Sequence, residues 1–75
     1  MLDDELIRAH AEGDLVSLVR LYTQAADERE TVGDTDAACF YLVHAYVFAL
    51  DAGDQAMHAL NRRLVAHGRE EPLET

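Results

Sequence analysis

The four histidines, His10, His44, His58 and His67, and the single thiol, Cys39, are the first side chains of this 75-residue chain to test for metal-binding or nucleophilic chemistry. No two histidines stand three or four residues apart, so no helix face offers the paired imidazoles on which a metal site is built. If the later half of the chain folds back on itself about Gly53, His58 comes level with about Ala49, well away from His44. His67 comes level with about Phe40, close to Cys39. That couple has no further partner, and structural zinc takes four ligands. No metal and no cofactor are expected.

Cys39 reads as a small buried apolar side chain. A catalytic thiol needs a base and an electropositive setting, and Asp34 and Asp36 supply the opposite. Asp34 with Asp36, and Asp3 with Asp4 and Glu5, are the carboxylate sets that acid–base catalysis could draw on. Both sets lie where helices begin, and capping accounts for them. There is no phosphate-cradling glycine loop and no nucleophile elbow. The expectation is a protein without catalytic residues, not an enzyme.

His44 differs in setting. It interrupts the stretch Ala37 to Leu50, which is otherwise apolar or aromatic and free of charge, glycine and proline. A polar ring buried there needs a hydrogen-bond partner, and Thr23, beside Tyr22, is about level with it on the preceding element. The plain reading is a satisfied core histidine. The sharper one is a ligand contact or a pH-sensitive interface, since histidine changes charge near neutral pH. Tyr22, Tyr41 and Tyr46 read as core-rim residues whose hydroxyls reach water while their rings pack.

Regular punctuation positions these residues. Gly-Asp recurs at Gly13-Asp14, Gly33-Asp34 and Gly53-Asp54, at a constant spacing of 20 residues. Glycine accepts the left-handed conformation that ends a helix, and aspartate accepts the free N–H groups that open the next. Three such steps predict four helices: about Asp3–Glu12 with Asp3 as its cap, Leu15–Val32, Thr35–Ala52 and Gln55–His67. Short turns force neighbours to run antiparallel, so the fold class is all-α.

In the first helix Leu2, Leu6, Ile7, Ala9 and His10 are the inward candidates. In the second, Leu15, Leu18, Val19, Tyr22, Ala25, Ala26 and Arg29 form the stripe. The third is apolar all round, which predicts that it is enclosed, yet it is shorter than the ~20 apolar residues a bilayer demands. Its alanines 38, 45, 49 and 52 share one side and admit a close neighbour. Phe40, Val43, Val47 and Leu50 share another. The fourth carries Ala56, Met57, Leu60, Leu64 and His67. Residues 1–68 make one domain, and 69–75, with Pro72 and three glutamates, read as a mobile tail.

The segment Ala38 to Leu64, with its aromatic-rich helix containing Ala45-Tyr46, its Gly53-Asp54 turn and its alanine- and leucine-spaced second helix, resembles a tetratricopeptide-type helical hairpin. Leu6 to Ala26 resembles a second, shorter one. The period is 40 residues per helix pair against 34 in the standard motif, and the usual tryptophan, Leu-Gly pair and closing proline are absent. The resemblance implies two TPR-like hairpins and a protein-binding or self-associating role.

Charge narrows the partners. The net charge is −9 and there is no lysine, which repels nucleic acid and anionic membrane surfaces. The first residues lack the basic start and apolar run of a secretory signal, and one unpaired thiol suits a reducing compartment. The expected location is cytoplasmic. The expected function is a small acidic protein–protein interaction module. It would bind a protein partner or a second copy of itself, as a homodimer, through Phe40, Val43, His44, Val47 and Phe48, because three short helices leave part of the third uncovered. The alternative is a small-ligand binding or sensing domain with a pocket near His44 between the hairpins.

Overall fold

A computed structural model describes residues 2–73, with the Leu2 side chain left aside. Four helices follow in order: α1 Leu2–Glu12, α2 Leu15–Thr31, α3 Thr35–Ala52 and α4 Ala56–Ala66. There is no strand among the described residues.

The Gly-Asp pairs explain why the helices stop and start where they do. Gly13, Gly33 and Gly53 all have positive φ, a region costly for any residue with a Cβ. The aspartate after each then works twice. Its backbone N–H closes the helix behind it, donating to the carbonyls of Ala9, Arg29 and Ala49 at 2.9 Å in each case. This is the six-to-one bond of a Schellman motif, and the preceding glycine adds the inner bond, for example Gly33 N–H to Glu30. Its side chain then opens the helix ahead: Asp14 accepts from the Ser17 N–H, Asp34 from Ala37 and Asp54 from Ala56. Gly68-Arg69 repeats the closing half, with Arg69 N–H donating to Leu64. Asp3, expected as a cap, lies instead within the first turn of α1, which begins one residue earlier.

α2, α3 and α4 share the main core. Val19 and Ala26 from α2, Cys39, Leu42, Ala45, Tyr46 and Ala49 from α3, and Leu60 and Leu64 from α4 bury one another. Ala38, Ala45 and Ala49 form the expected small-residue side of α3, but Ala52 is exposed. A second, smaller cluster of Ala9, Leu18 and Leu21 fastens α1 to α2. Here Ala9 and Leu6 turn inward, while Ile7 faces solvent.

Ion pairs join elements distant in sequence. Arg63 on α4 reaches Asp27 and Glu30 on α2, each at 2.7 Å, and His67 Nε2 lies 3.1 Å from Glu30. Beyond α4 the chain folds back. Arg69 pairs with Asp36 at 2.7 Å, and Leu73 packs against the main core. The sequence marks 69–75 as a tail; residues 69–73 make these contacts, and 74–75 lie outside the described residues.

The Cα trace measures 31 × 31 × 12 Å. A helix spans about 4.6 Å between Cα atoms at a radius of about 2.3 Å, so the molecule is a slab about two helices thick. The sequence predicts that α3 is enclosed; instead Phe40, Val43, Val47 and Leu50 stand open on it, because its neighbours cover the side of Ala38, Leu42, Ala45 and Ala49.

Candidate interaction face on helix α3

Four large apolar residues of α3 stand open: Phe40 at 58% exposure, Val43 at 40%, Val47 at 53% and Leu50 at 45%. They fall at i, i+3, i+7 and i+10, the a and d spacing by which one helix seats against another. The stripe spans about 15 Å at 1.5 Å per residue. The opposite side of α3, with Ala38, Leu42, Ala45 and Ala49, is committed to the core. The stripe is therefore held rigidly by buried packing, and it is not a mobile loop.

Of the residues singled out from sequence, Phe40, Val43 and Val47 come together on this face and His44 sits at its edge. Phe48 does not join them. It turns inward against the core, 5.7 Å from the His10 ring and 5.8 Å from that of Tyr22. One turn along, His44 stacks on Tyr22 with centroids 5.2 Å apart, and Phe40 lies 4.4 Å from His44. His44 Nδ1 donates to the Phe40 carbonyl at 2.9 Å, since a carbonyl can only accept. The ring is partly exposed rather than a core histidine, and Thr23 is not its partner: Thr23 donates to the Val19 carbonyl.

Tyr22 is the organising residue of the edge. His10, Tyr41, His44 and Phe48 surround it, and its hydroxyl lies 3.0 Å from His10 Nε2. Sequence placed Tyr22 on the α2 stripe, but the convergence of five rings from three helices has no local signal.

The one buried polar side chain among the described residues is Asn61, which sequence reasoning passed over. Its Nδ2 donates to the Tyr46 hydroxyl at 3.3 Å and to the Glu71 carbonyl at 2.9 Å, and its Oδ1 accepts from the Leu73 N–H at 3.1 Å. It thus ties the returning chain along the Tyr46 edge of α3.

Beside the stripe lies an open cleft of about 400 Å³, lined by Asp36, Cys39, Phe40, Val43, His44 and Arg69. The Arg69 guanidinium is held above its ordinary range by its hydrogen bond to Asp36 and by the nearby Cys39. His67 turns to Glu30, not to Cys39, and among the described residues no group of three or more histidine, cysteine or acidic side chains could hold a metal. Glu30 is held below its ordinary carboxylate range, first by the hydrogen bond with His67 and then by Arg63.

No helix among the described residues is long and apolar enough to cross a membrane. No protein-family model, no curated protein and no solved structure matches the chain.

Proposed function

We propose that this protein is a non-catalytic interaction module that docks a helix of another protein, or of a second copy of itself, along the α3 stripe. The observation that carries this is the a/d-spaced row Phe40, Val43, Val47 and Leu50, open on a face whose reverse is fixed in the core. Exposed apolar rows on small monomers mark interaction sites, and a helix seated on such a row removes it from water. In the same reading the four helices pair as antiparallel, TPR-like hairpins. Support for this comes from the three evenly spaced Gly-Asp turns and from the ion pairs that bring α4 to α2. The buried free thiol of Cys39 fits a reducing, cytoplasmic setting.

A photo-crosslinking residue at position 47, with position 16 on α2 as a control at least as exposed, tests the proposal in the native host. Discrete adducts at 47 and none at 16 are expected. Equal labelling at both positions defeats the assignment.

A second reading follows from the cleft beside His44, whose volume of about 400 Å³ is within the range of small-ligand sites. Ligands that raise the melting temperature of the protein but not of a His44→Gln variant would favour it.

A further inference from the structure

We infer that the occupant of the α3 stripe is a basic amphipathic helix and not a second copy of this chain. The inference rests on the reading of the stripe as a helix-docking face, and the charges that frame the stripe carry it further. One turn before Phe40, in the same line, stands Asp36, and beside Leu50 stands Asp51. The C-terminal end of α3 adds its own negative dipole there. Along the Tyr46 edge runs the returning chain with Glu70 and Glu71, held by Asn61. Arg69 at this rim is bound to Asp36 at 2.7 Å, so that pair is balanced and the surplus lies with Asp51, Glu70 and Glu71. His44 closes the remaining edge. The face is thus an apolar row in an acidic frame.

A second copy fits this frame badly. Each copy brings a net charge of −9, and a net charge so far from zero keeps a chain monomeric. Like charges set against each other across an interface oppose it. A partner helix with apolar a and d positions and lysine or arginine at the flanking e and g positions covers the same row and neutralises its frame. The net charge of −9 would draw it in from a distance.

The test uses the full chain and three labelled 21-residue helical peptides. One has leucine at a and d with lysine at e and g; the second replaces the lysines by glutamate; the third keeps the lysines but has serine at a and d. Fluorescence anisotropy in 0.15 M salt should show the leucine–lysine peptide binding at least tenfold more tightly than either control. Val47→Asp should weaken it at least fivefold even though the variant is more acidic, whereas Val16→Asp should not. Far-UV circular dichroism checks that both variants stay helical, which the exposure of these positions favours. Equal binding of the leucine–glutamate peptide overturns the charge assignment but leaves helix docking standing. Undiminished binding to Val47→Asp means unspecific attraction between opposite charges and overturns the inference. A dimer in sedimentation equilibrium that Val47→Asp dissociates shows a second copy on the stripe, which also overturns it while upholding the docking face. If no peptide binds and the protein is monomeric, both the inference and the docking face fall.

Discussion

At the scale of single residues, the side chains that do most are those whose partners lie far away in sequence. Asn61 makes three hydrogen bonds, two of them to the backbone of the returning chain. In the sequence it is one polar residue among the apolar positions of α4, and periodicity assigns it to no face. Leu21 escaped in the same way: it falls off the α2 stripe and is buried only because α1 packs there. Asn61→Leu removes all three bonds and leaves the Tyr46 hydroxyl and two backbone groups without partners. A loss of about 1–3 kcal/mol in urea unfolding is expected, with faster proteolysis after residue 69. An unchanged cleavage rate would mean that Asn61 does not hold the tail. Glu30 gives a pH signature. Its folded carboxyl titrates below the ordinary value of 4.5, chiefly through His67 and Arg63. Its contribution is therefore complete above pH 4.5 and is lost as pH falls through the lower folded value, when both states bind the proton. The pair is partly exposed, so the contribution is under ~1 kcal/mol. Glu30→Gln should be slightly less stable than the native chain at pH 7, and the two should converge once the pH falls below the lowered folded value; a gap that persists in acid would argue that packing, not charge, sets it.

At the scale of elements, the helix boundaries were the most legible part of the fold, because turn chemistry is local. A glycine at positive φ and an aspartate within reach of the next N–H groups depend on nothing beyond a few neighbours, so Gly13-Asp14, Gly33-Asp34 and Gly53-Asp54 announced themselves. The small-residue side of α3 could be read as the packed one, but not how the large residues beside it divide between core and solvent. Its composition is apolar on every side, and the choice between Leu42 inside and Val43 outside is made by where α2 and α4 arrive. Phe48 was misjudged for the same reason, since nothing local tells it apart from Val47. The double use of each aspartate makes a specific prediction. Asp14→Ala keeps the backbone N–H that closes α1 but loses the carboxylate bonds to the Ser17 N–H and hydroxyl that open α2. The cost should be about 0.5–2 kcal/mol. Gly33→Ala loses no contact, because an added Cβ meets nothing within 4 Å, and should cost about 1 kcal/mol from the strained φ alone. Chemical denaturation of the two variants separates them further, because Gly33→Asn, which tolerates this conformation, should restore most of the loss while Asp14→Asn keeps the cap.

At the scale of the whole molecule, shape and charge set two effects against each other. Nine uncompensated negative charges share a slab 31 Å wide. At a typical separation of about 20 Å in water, each pair repels by ~0.2 kcal/mol, and about 36 pairs sum to roughly 7 kcal/mol. Unfolding spreads the chain about twofold in radius and relieves on the order of half of that. Against this stand the close pairs of Arg63 with Asp27 and Glu30, each contributing under ~1 kcal/mol where solvent reaches it, and the exposed pair of Arg69 with Asp36. Salt distinguishes the two because it acts by distance. The Debye length falls from about 30 Å at 0.01 M to about 8 Å at 0.15 M, which removes most repulsion across the slab and leaves contacts of 2.7 Å largely intact. The native chain should therefore gain stability on going from 0.01 M to 0.5 M sodium chloride, by about 1–3 kcal/mol, read as a rise in the urea midpoint at pH 7. Partial neutralisation at pH 5 should shrink the gain, since fewer charges remain to screen. A midpoint that falls with salt would mean the ion pairs between α2, α4 and the returning chain outweigh the surplus of acid. The slab would then be held together by its charges, not in spite of them.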